Sequence, residues 1–543
     1  MAKKINFILF ATVLILLAAC SGEETQQTAD TSRYLKLMTS SLEFPSEGGS
    51  QTVEFKSKST PSVTPGEDWI GYEMDFNSTL GLGTITINTS ANIYPAERTG
   101  EVRVASGSLK ESITVTQKGG QMVDAGLLTE EPEIVSNDAT AFLSSFGMGY
   151  NLGNHFDSNN NGEICDWDND GVEEWWDGCV PVENTYKTLY SKGFHSIRIP
   201  VTWSKHMGPA PDYTIDPAYL ALVRMNVAWA RDAGFRVIVN IHHDDGRSVD
   251  SDGNITFQNW LDVKAASGSA SKKAEISDRF AKVWKQIATY FINEGDYLMF
   301  ESFNEINDGG WGWSQEFRSN PTAQTDIVNE WAQLFVDTVR ATGGNNSTRW
   351  LGVTGYCANP GFTMKYLKLP TDSASGRIAV AVHDYDPSSY TIGSGDFPQW
   401  GHTASTEKDA KGNYKYRPME DESTYIATVR ELYNKYLVNN IPVYIGEAGC
   451  KNKAGAVPIA FKKYYMEYTW RAFTAYGMPL FLWDGSGDGT SGDTHGFMSH
   501  STGDYLNETT RSYVEAMYRA VYTPKSDDYS LKYVYNMAPV ASN

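Results

Sequence analysis

The 543-residue sequence predicts an α/β protein, a (β/α)8 TIM barrel preceded by a small all-β sandwich, and three observations carry that prediction. From about residue 138 to residue 525, short Val/Ile-rich runs alternate with long amphipathic stretches, the pattern of parallel strands covered by helices. Eight such runs can be read, the number that closes a barrel, and no Gly-rich phosphate loop follows the first, as a doubly wound open sheet would have it. Ahead of them, residues 34 to 120 show short alternating runs separated by turn residues, with no helical period.

The elements follow in chain order. Residues 1–20 hold Lys3 and Lys4, an apolar run from Phe7 to Ala19, and Cys20; the run is too short for a membrane span and reads as a secretory signal. Leu17-Ala18-Ala19-Cys20 resembles a bacterial lipobox, which implies cleavage before Cys20 and a lipid anchor on it. With the acidic Ser21-Gly22-Glu23-Glu24 behind it, the expected location is the outer membrane of a Gram-negative bacterium, facing the cell surface. Residues 21–33 are a small, polar tether. Residues 34–120 contain LEFP at 42, QTVEFKS at 51, GTITINTS at 83, GEVRVAS at 100 and ESITVTQKG at 111, the strands of a sandwich. Residues 121–137, with Glu130, Glu131, Pro132 and Glu133, read as a linker, 138–525 as the barrel and 526–543 as a C-terminal tail.

The barrel strands expected are GMGYNLGN (147), HSIRIPV (195), FRVIVNIHH (235), YLMFESFNEI (297), RWLGVTGYC (349), RIAVAVHDYDP (377), PVYIGEAG (442) and PLFLWDG (479). Helical stretches between them begin near 218, 274, 326, 423 and 460.

The net charge of -21 disfavours nucleic acid as a partner, and 15 Trp with 31 Tyr suit a neutral polymer whose sugar rings offer flat C–H faces to aromatic side chains. A large aromatic core is the competing account. Beyond Cys20 the cysteines are Cys165, Cys179, Cys357 and Cys450, and in an exported chain Cys165 with Cys179 would close a short loop.

Each expected strand ends in polar groups that a buried strand does not need: Asn154, Arg198, His242 and His243, Asn304 and Glu305, His383 and Tyr385, Glu447, and Trp483. In a barrel these ends converge on one pocket. Glu305 and Glu447 are the two carboxylates that glycosidic cleavage needs, one as acid and one on the opposite face of the sugar. At a separation of roughly 5 Å their repulsion is about 3 kcal/mol, enough to keep one protonated. Arg198 is expected to hold Glu447 ionised, and Asn304 to reach the sugar 2-hydroxyl.

On IRIPVTW with Arg198, NIHHD with His242 and His243, Asn304-Glu305, His383-Asp384-Tyr385, IGEAG with Glu447, and Trp483, residues 138–525 resemble glycoside hydrolase family 5. The resemblance implies a retaining mechanism with Glu305 as acid/base, Glu447 as nucleophile and no cofactor for catalysis. Tyr385 would bond the nucleophile, the three histidines would shape the −1 sugar site, and Trp483 would stack beneath the sugar. Asn151 to Asn154 and Val339 to Asn346 are similar to the endoglucanase and xyloglucanase members. The implied partner is a β-linked polysaccharide, cellulose-type glucan or xyloglucan, cut internally, with mannan and mixed-linkage glucan as alternatives; separately, a monomer is expected. Ile306 departs from the proline common after the acid/base. Residues 34–120 resemble BACON domains, an immunoglobulin-like sandwich, through Phe44 to Gly49, Asp68-Trp69-Ile70, Arg98-Thr99-Gly100 and Val115-Thr116-Gln117. Trp69 is expected in the sandwich core rather than on a sugar-binding surface.

The insertion DSNNNGEICDWDNDGVEEWWDGC (157) is less familiar. Asp166, Asp168, Asp170 and Asp177 fall at the spacing of an EF-hand loop and suggest a structural calcium; Asp157, Asn159, Asn161 and Asp168 make a second register. The twelfth position is Asp rather than Glu, and an acidic surface insertion is the competing account. Trp175 and Trp176 there are either a subsite wall or a buried hinge. Two other functions stay in play: a non-catalytic glycan-binding lipoprotein, and a metallohydrolase built on His242 and His243. Adjacent strand residues point to opposite faces, which argues against the second.

Overall fold

The computed structural model describes residues 34–540 apart from 47, 68, 90–91, 93–96, 120–125, 246, 250–254, 394–396, 411, 413–414, 417–420 and 491–493. Cys20, the lipobox and the tether lie outside the described residues. Among the described residues no helix is long and apolar enough to cross a membrane.

The N-terminal unit is two four-stranded sheets, Leu35–Leu37, Gly49–Ser57, Leu82–Thr89 and Ile70–Asn77 in one, and Ser41–Phe44, Leu109–Gln117, Arg98–Ser106 and Ser62–Pro65 in the other. Alternation puts Val53, Phe55, Ile85, Ile87, Val102, Val104, Ile113 and Val115 between them, all at 1% exposure or less. Trp69 packs on this core and carries the Arg98 guanidinium 4.4 Å above its ring. Three strands escaped the sequence analysis: Leu35–Leu37 and Ser62–Pro65 are too short to show a period, whereas Ile70–Asn77 carries a readable one, Ile70, Tyr72, Met74 and Phe76 alternating with Gly71, Glu73, Asp75 and Asn77.

All eight expected barrel strands form: Met148–Leu152, Phe194–Ile199, Arg236–Asn240, Leu298–Glu301, Leu351–Thr354, Ile378–Asp384, Val443–Ala448 and Leu480–Asp484 pair in parallel and in chain order, the last with the first. Among the described residues the helices that follow the strands in turn are Glu183–Ser191, Pro217–Ala233, Ala270–Tyr290, Thr322–Ala341, Pro360–Tyr366, Glu422–Lys435, Ala456–Ala475 and Glu508–Tyr522. Pro217–Ala233 shows why the sequence breaks where it does: the Asp216 side chain accepts the Ala218 N–H at its start, and Gly234 ends it at φ 108°. Asp138–Leu143 closes the floor of the barrel, where Phe142 stacks on Trp350 at 3.6 Å.

Two boundaries need correction. The Glu131 carboxylate pairs with Arg471 at 2.7 and 2.8 Å, both side chains 5% exposed, so the stretch from residue 126 to 137 is docked on the barrel rather than a free linker. The proposed tail contains the helix Leu531–Asn536, with Leu531 and Val534 buried and the Leu531 N–H donated to Glu131. Charge on 131 and apolar residues at 531 and 534 tie both ends of the barrel to one patch.

Candidate active site

At the barrel mouth, Arg198 on the second strand is fully buried and has all five donors engaged. Nη1 donates to Glu447 Oε1 (2.7 Å) and Asn151 Oδ1 (3.0 Å), and Nη2 to Glu301 Oε1 (2.7 Å) and Asn304 Oδ1 (2.8 Å). Nε donates to Glu301 Oε1 as well (2.9 Å). The Asn304 carbonyl is thereby spent, which leaves its amide N–H2 for the cleft that it lines.

Tyr385 donates its hydroxyl to Glu447 Oε2 at 3.0 Å. His383 stands between the two carboxylates, Nδ1 lying 2.6 Å from Glu305 Oε1 and 3.6 Å from Glu447 Oε2, and one oxygen of each carboxylate lies within 4.8 Å of the other. His383 Nε2 is buried without a partner, and an orphan lone pair costs less there than an orphan N–H, so the ring proton belongs on Nδ1 and is given to Glu305. Burial holds this ring neutral, its pKa pushed down to about 4. Burial also lifts the Glu447 carboxyl above the ordinary glutamate range, against the pull of His383 and Arg198. That corrects the expectation that Arg198 simply holds Glu447 down, since Arg198 is shared with a second carboxylate, Glu301, which sequence reasoning missed.

Asn154 (φ 62°), His242, His243, Asn304, Glu305, Tyr385, Glu447 and Trp483 all line one cleft of about 690 Å³. Trp483 lies parallel to the His242 ring at 5.7 Å. A second cavity of about 420 Å³ shares Trp176, His243, Asn304, Glu305 and Trp311 with it and extends beneath the insertion, past Trp167, Asn159 and Phe257. An open cleft with two close, unequal carboxylates and exposed tryptophans is equipped to protonate and displace at a sugar ring.

Residues 156–489 match the family Cellulase (glycosyl hydrolase family 5). The chain belongs to glycoside hydrolase family 5. Residues 58–118 match the BACON family of N-terminal domains. This family 5 hydrolase is 32% identical over 329 residues to Endoglucanase A of Paenibacillus barcinonensis, covering 58% of this chain and 74% of that one. It is 28% identical over 464 residues to a xyloglucan-specific endo-beta-1,4-glucanase of Bacteroides ovatus, covering 82% and 83%. Among solved structures, a broad specificity endoglucanase from Bacteroides salanitronis superposes with TM-score 0.63 at 38% identity, over 73% of this chain and 99% of that one.

The hydrolase departs from expectation mainly in its insertion. Asp177 is not a loop-tip oxygen: it is buried, 3.1 Å from His155 Nδ1 and 2.8 Å from His500 Nδ1. The carboxylates that do gather are Asp166, Asp168 and Glu174, while Asp170 accepts the Val172 N–H, so the twelve-residue calcium register with Asp177 is not formed. Cys165 and Cys179 are free, and the expected disulfide is absent: Cys165 is buried in a bridge to Glu174, and the Cys179 sulfur faces the Ser486 hydroxyl at 3.7 Å. Trp175 and Trp176 divide the two roles between them. Trp175 packs on Phe156 under Lys205 as a hinge, and Trp176, 41% exposed, forms the wall.

His242 and His243 do not point to opposite faces, because the strand ends at Asn240 and its pleat no longer governs them. Both Nε2 atoms turn to the buried Asp157, at 4.0 and 3.8 Å. The spacing would admit a metal ion, but the tautomer does not. Asn240 Oδ1 accepts the Val201 N–H, so its Nδ2 faces Glu301 Oε1 and His242 Nδ1, which puts the His242 proton on Nε2. Burial pushes Asp157 up to about 7, against the pull of the backbone N–H groups of Asp157 and Asn154. Ile306 is fully buried and its carbonyl accepts the Cys357 N–H, a packing role that leaves Glu305 unaffected.

Proposed function

We propose that the protein is an endo-acting, retaining β-1,4-glucanase in which Glu305 is the acid/base and Glu447 the nucleophile. The observation that carries this is the pair of carboxylates with oxygens within 4.8 Å, both reached by His383. Retaining pairs are the closer class, inverting pairs being held farther apart to admit a water, and two carboxylates that share one imidazole fit the closer class. In the first step Glu447 forms a bond to the anomeric carbon as the glycosidic C–O bond breaks, and Glu305 gives its proton to the departing oxygen. In the second, water bonds the same carbon, the ester electron pair returns to Glu447, and Glu305 takes the water proton. His383 Nδ1–H occupies Glu305 Oε1, which leaves Oε2 to carry the transferred proton. Arg198 and Tyr385 each hold one oxygen of Glu447. The scheme needs no cofactor.

An unbranched glucan is the first substrate class and xyloglucan the second. The cavity beneath the insertion supports the second, as does the similarity to a xyloglucan-specific enzyme over 82% of the chain. The test is the product profile of purified residues 34–543 on carboxymethylcellulose, xyloglucan, glucomannan and mixed-linkage glucan, with the anomeric form of the new ends read by NMR. Rapid release of mixed β-oligosaccharides from one polymer establishes retaining endo cleavage and its backbone. Binding without cleavage on all four is the outcome of a glycan-capture lipoprotein.

The lipobox supports export and a diacylglycerol anchor on Cys20, the acidic Ser21-Gly22-Glu23-Glu24 behind it supports display on the outer membrane, and a cleft lined from one chain fits a monomer. Labelled palmitate should enter the wild type and not Cys20→Ala; equal labelling rejects the anchor.

A further inference from the structure

Glu301 has no part in the scheme above, yet it holds Arg198 by more hydrogen bonds than Glu447 does. Its Oε1 accepts from Arg198 Nε (2.9 Å), Arg198 Nη2 (2.7 Å) and Asn240 Nδ2 (3.1 Å), and its Oε2 from the Tyr444 hydroxyl (2.7 Å). Both the guanidinium and this carboxylate are fully buried. Gly446, just before the nucleophile, leaves them room: a Cβ there would stand 3.6 Å from Glu301 Oε2 and 3.2 Å from His383 Nε2.

The charges decide what this arrangement does. Arg198 carries one positive charge against two carboxylates, Glu301 and Glu447. When Glu447 bonds to the anomeric carbon its negative charge disappears into a neutral ester. If Glu447 were the sole counter-ion, Arg198 would then be a buried cation facing only the amide oxygens of Asn151 and Asn304. An unpaired buried charge is among the costliest states a folded protein can hold. With Glu301 in place the ion pair survives the step.

We propose that Glu301 is a positioning residue for the reaction: it keeps Arg198 paired at every stage, so Glu447 can exchange its charge for an ester bond without stranding a buried guanidinium. The proposal rests on Glu447 being the nucleophile. Besides Arg198, the groups that face Glu447 are Glu305 from the fourth strand end and His383 and Tyr385 from the sixth, with Glu301 and Tyr444 behind Arg198. Glu301 itself is held ionised: burial pulls it upward, but the Arg198 charge and hydrogen bonds prevail and lower it.

The test is the pH profile of kcat/KM for Glu301→Gln, which keeps the shape and an acceptor for Arg198 but removes the charge. Arg198 then acts on Glu447 alone, so the acid limb should move down by roughly one pH unit. Esterification should become harder, and kcat and the burst rate with an activated 2-fluoro glycoside should both fall about tenfold or more. Tyr444→Phe removes a donor that partly screens Glu301, so its acid limb should move the other way by a few tenths of a unit. A purely structural role would lower the melting temperature of both variants without moving either limb, and that result overturns the proposal. If Glu301→Gln does not fold, the direction of the Tyr444→Phe limb decides, and an unmoved limb overturns it. Turnover by Glu447→Ala would instead reject the nucleophile assignment, a different failure read from a different variant.

Discussion

At the strand ends each chemical group is fixed by neighbours it cannot leave. Arg198 has every donor spent, and His383 and Tyr385 each touch a carboxylate from the same strand end. The insertion after the first strand meets the same cleft and is held chiefly at its base, with Asn159 and Cys165 buried above it. Asp177, Trp175 and the Lys205 to Glu173 pair (2.9 Å) bury its base, whereas Trp167 stands 61% exposed at its tip. Parallel strands end in one plane and are braced on both sides, so reacting atoms can be set to fractions of an ångström there. A loop pinned at its base positions broad aromatic surfaces well enough to stack on sugars, and it can change without disturbing the chemistry. On this division the strand ends would break the bond and the insertion would meet the polymer beyond it.

The strongest way to break that division is at the strand ends. Glu447→Ala should lower kcat on polysaccharide by about 10⁵-fold while polymer binding persists. Glu305→Ala should lose about 10²–10⁴-fold on polysaccharide but far less on aryl glycosides whose leaving groups need no proton. The two variants are told apart by leaving-group dependence, measured as kcat/KM across a series of aryl cellobiosides. Equal losses on all leaving groups for Glu305→Ala would remove it as the acid.

The same division explains what could be read from sequence. The eight strands were legible because buried parallel strands need unbroken Val/Ile runs, and their polar ends stood out against those runs. Glu301 was not, although it lies in YLMFESFNEI: as a single acid inside an apolar strand it looked like part of the strand, and its meaning depends on where Arg198 sits. A charged residue in a run that must be buried was the available signal, since it demands a partner. The insertion was legible only in part: Asp166 and Asp168 do gather, with Glu174, but Asp177 does not join them. Asp residues at alternating positions have the spacing of a calcium loop whether or not their carboxylates converge, and Asp177 was drawn away by His155 and His500, one of which is 323 residues distant in sequence.

Loosening the root of the insertion is the intermediate test. Against the upward pull of burial, hydrogen bonds from His155 and His500 hold Asp177 down at about 2, and His500 is raised in return by Asp177 and Asp484 although burial opposes it. The Asp177 contribution to stability is therefore present above the unfolded carboxylate pKa and is lost as pH falls toward about 2. The His500 contribution is complete below its unfolded pKa and is lost as pH rises through its raised value. Together they favour a window from roughly pH 4 to 6.5. Asp177→Asn should cost about 3–5 kcal/mol in that window, the range for breaking a buried pair, and should flatten the pH dependence of the denaturation midpoint. An unchanged midpoint with a protease-resistant insertion would show that the root is held by Trp175 packing alone.

The smallest effect expected is at the tip. Trp167 lines the second cavity but not the cleft that holds Glu447, Tyr385 and Trp483, so Trp167→Ala should leave kcat and the pH profile unchanged. Its loss should appear in KM, about fivefold on a polymer that fills the second cavity, close to 1 kcal/mol, and should vanish on an aryl cellobioside too short to reach it. Comparing xyloglucan with carboxymethylcellulose sharpens the point. A KM penalty confined to xyloglucan would mean that Trp167 meets side-chain sugars, and an equal penalty on both would mean that it stacks on the backbone. A fall in kcat on the short substrate would be the damaging result, because the tip of the insertion would then be coupled to the strand ends and the two regions would not divide the work.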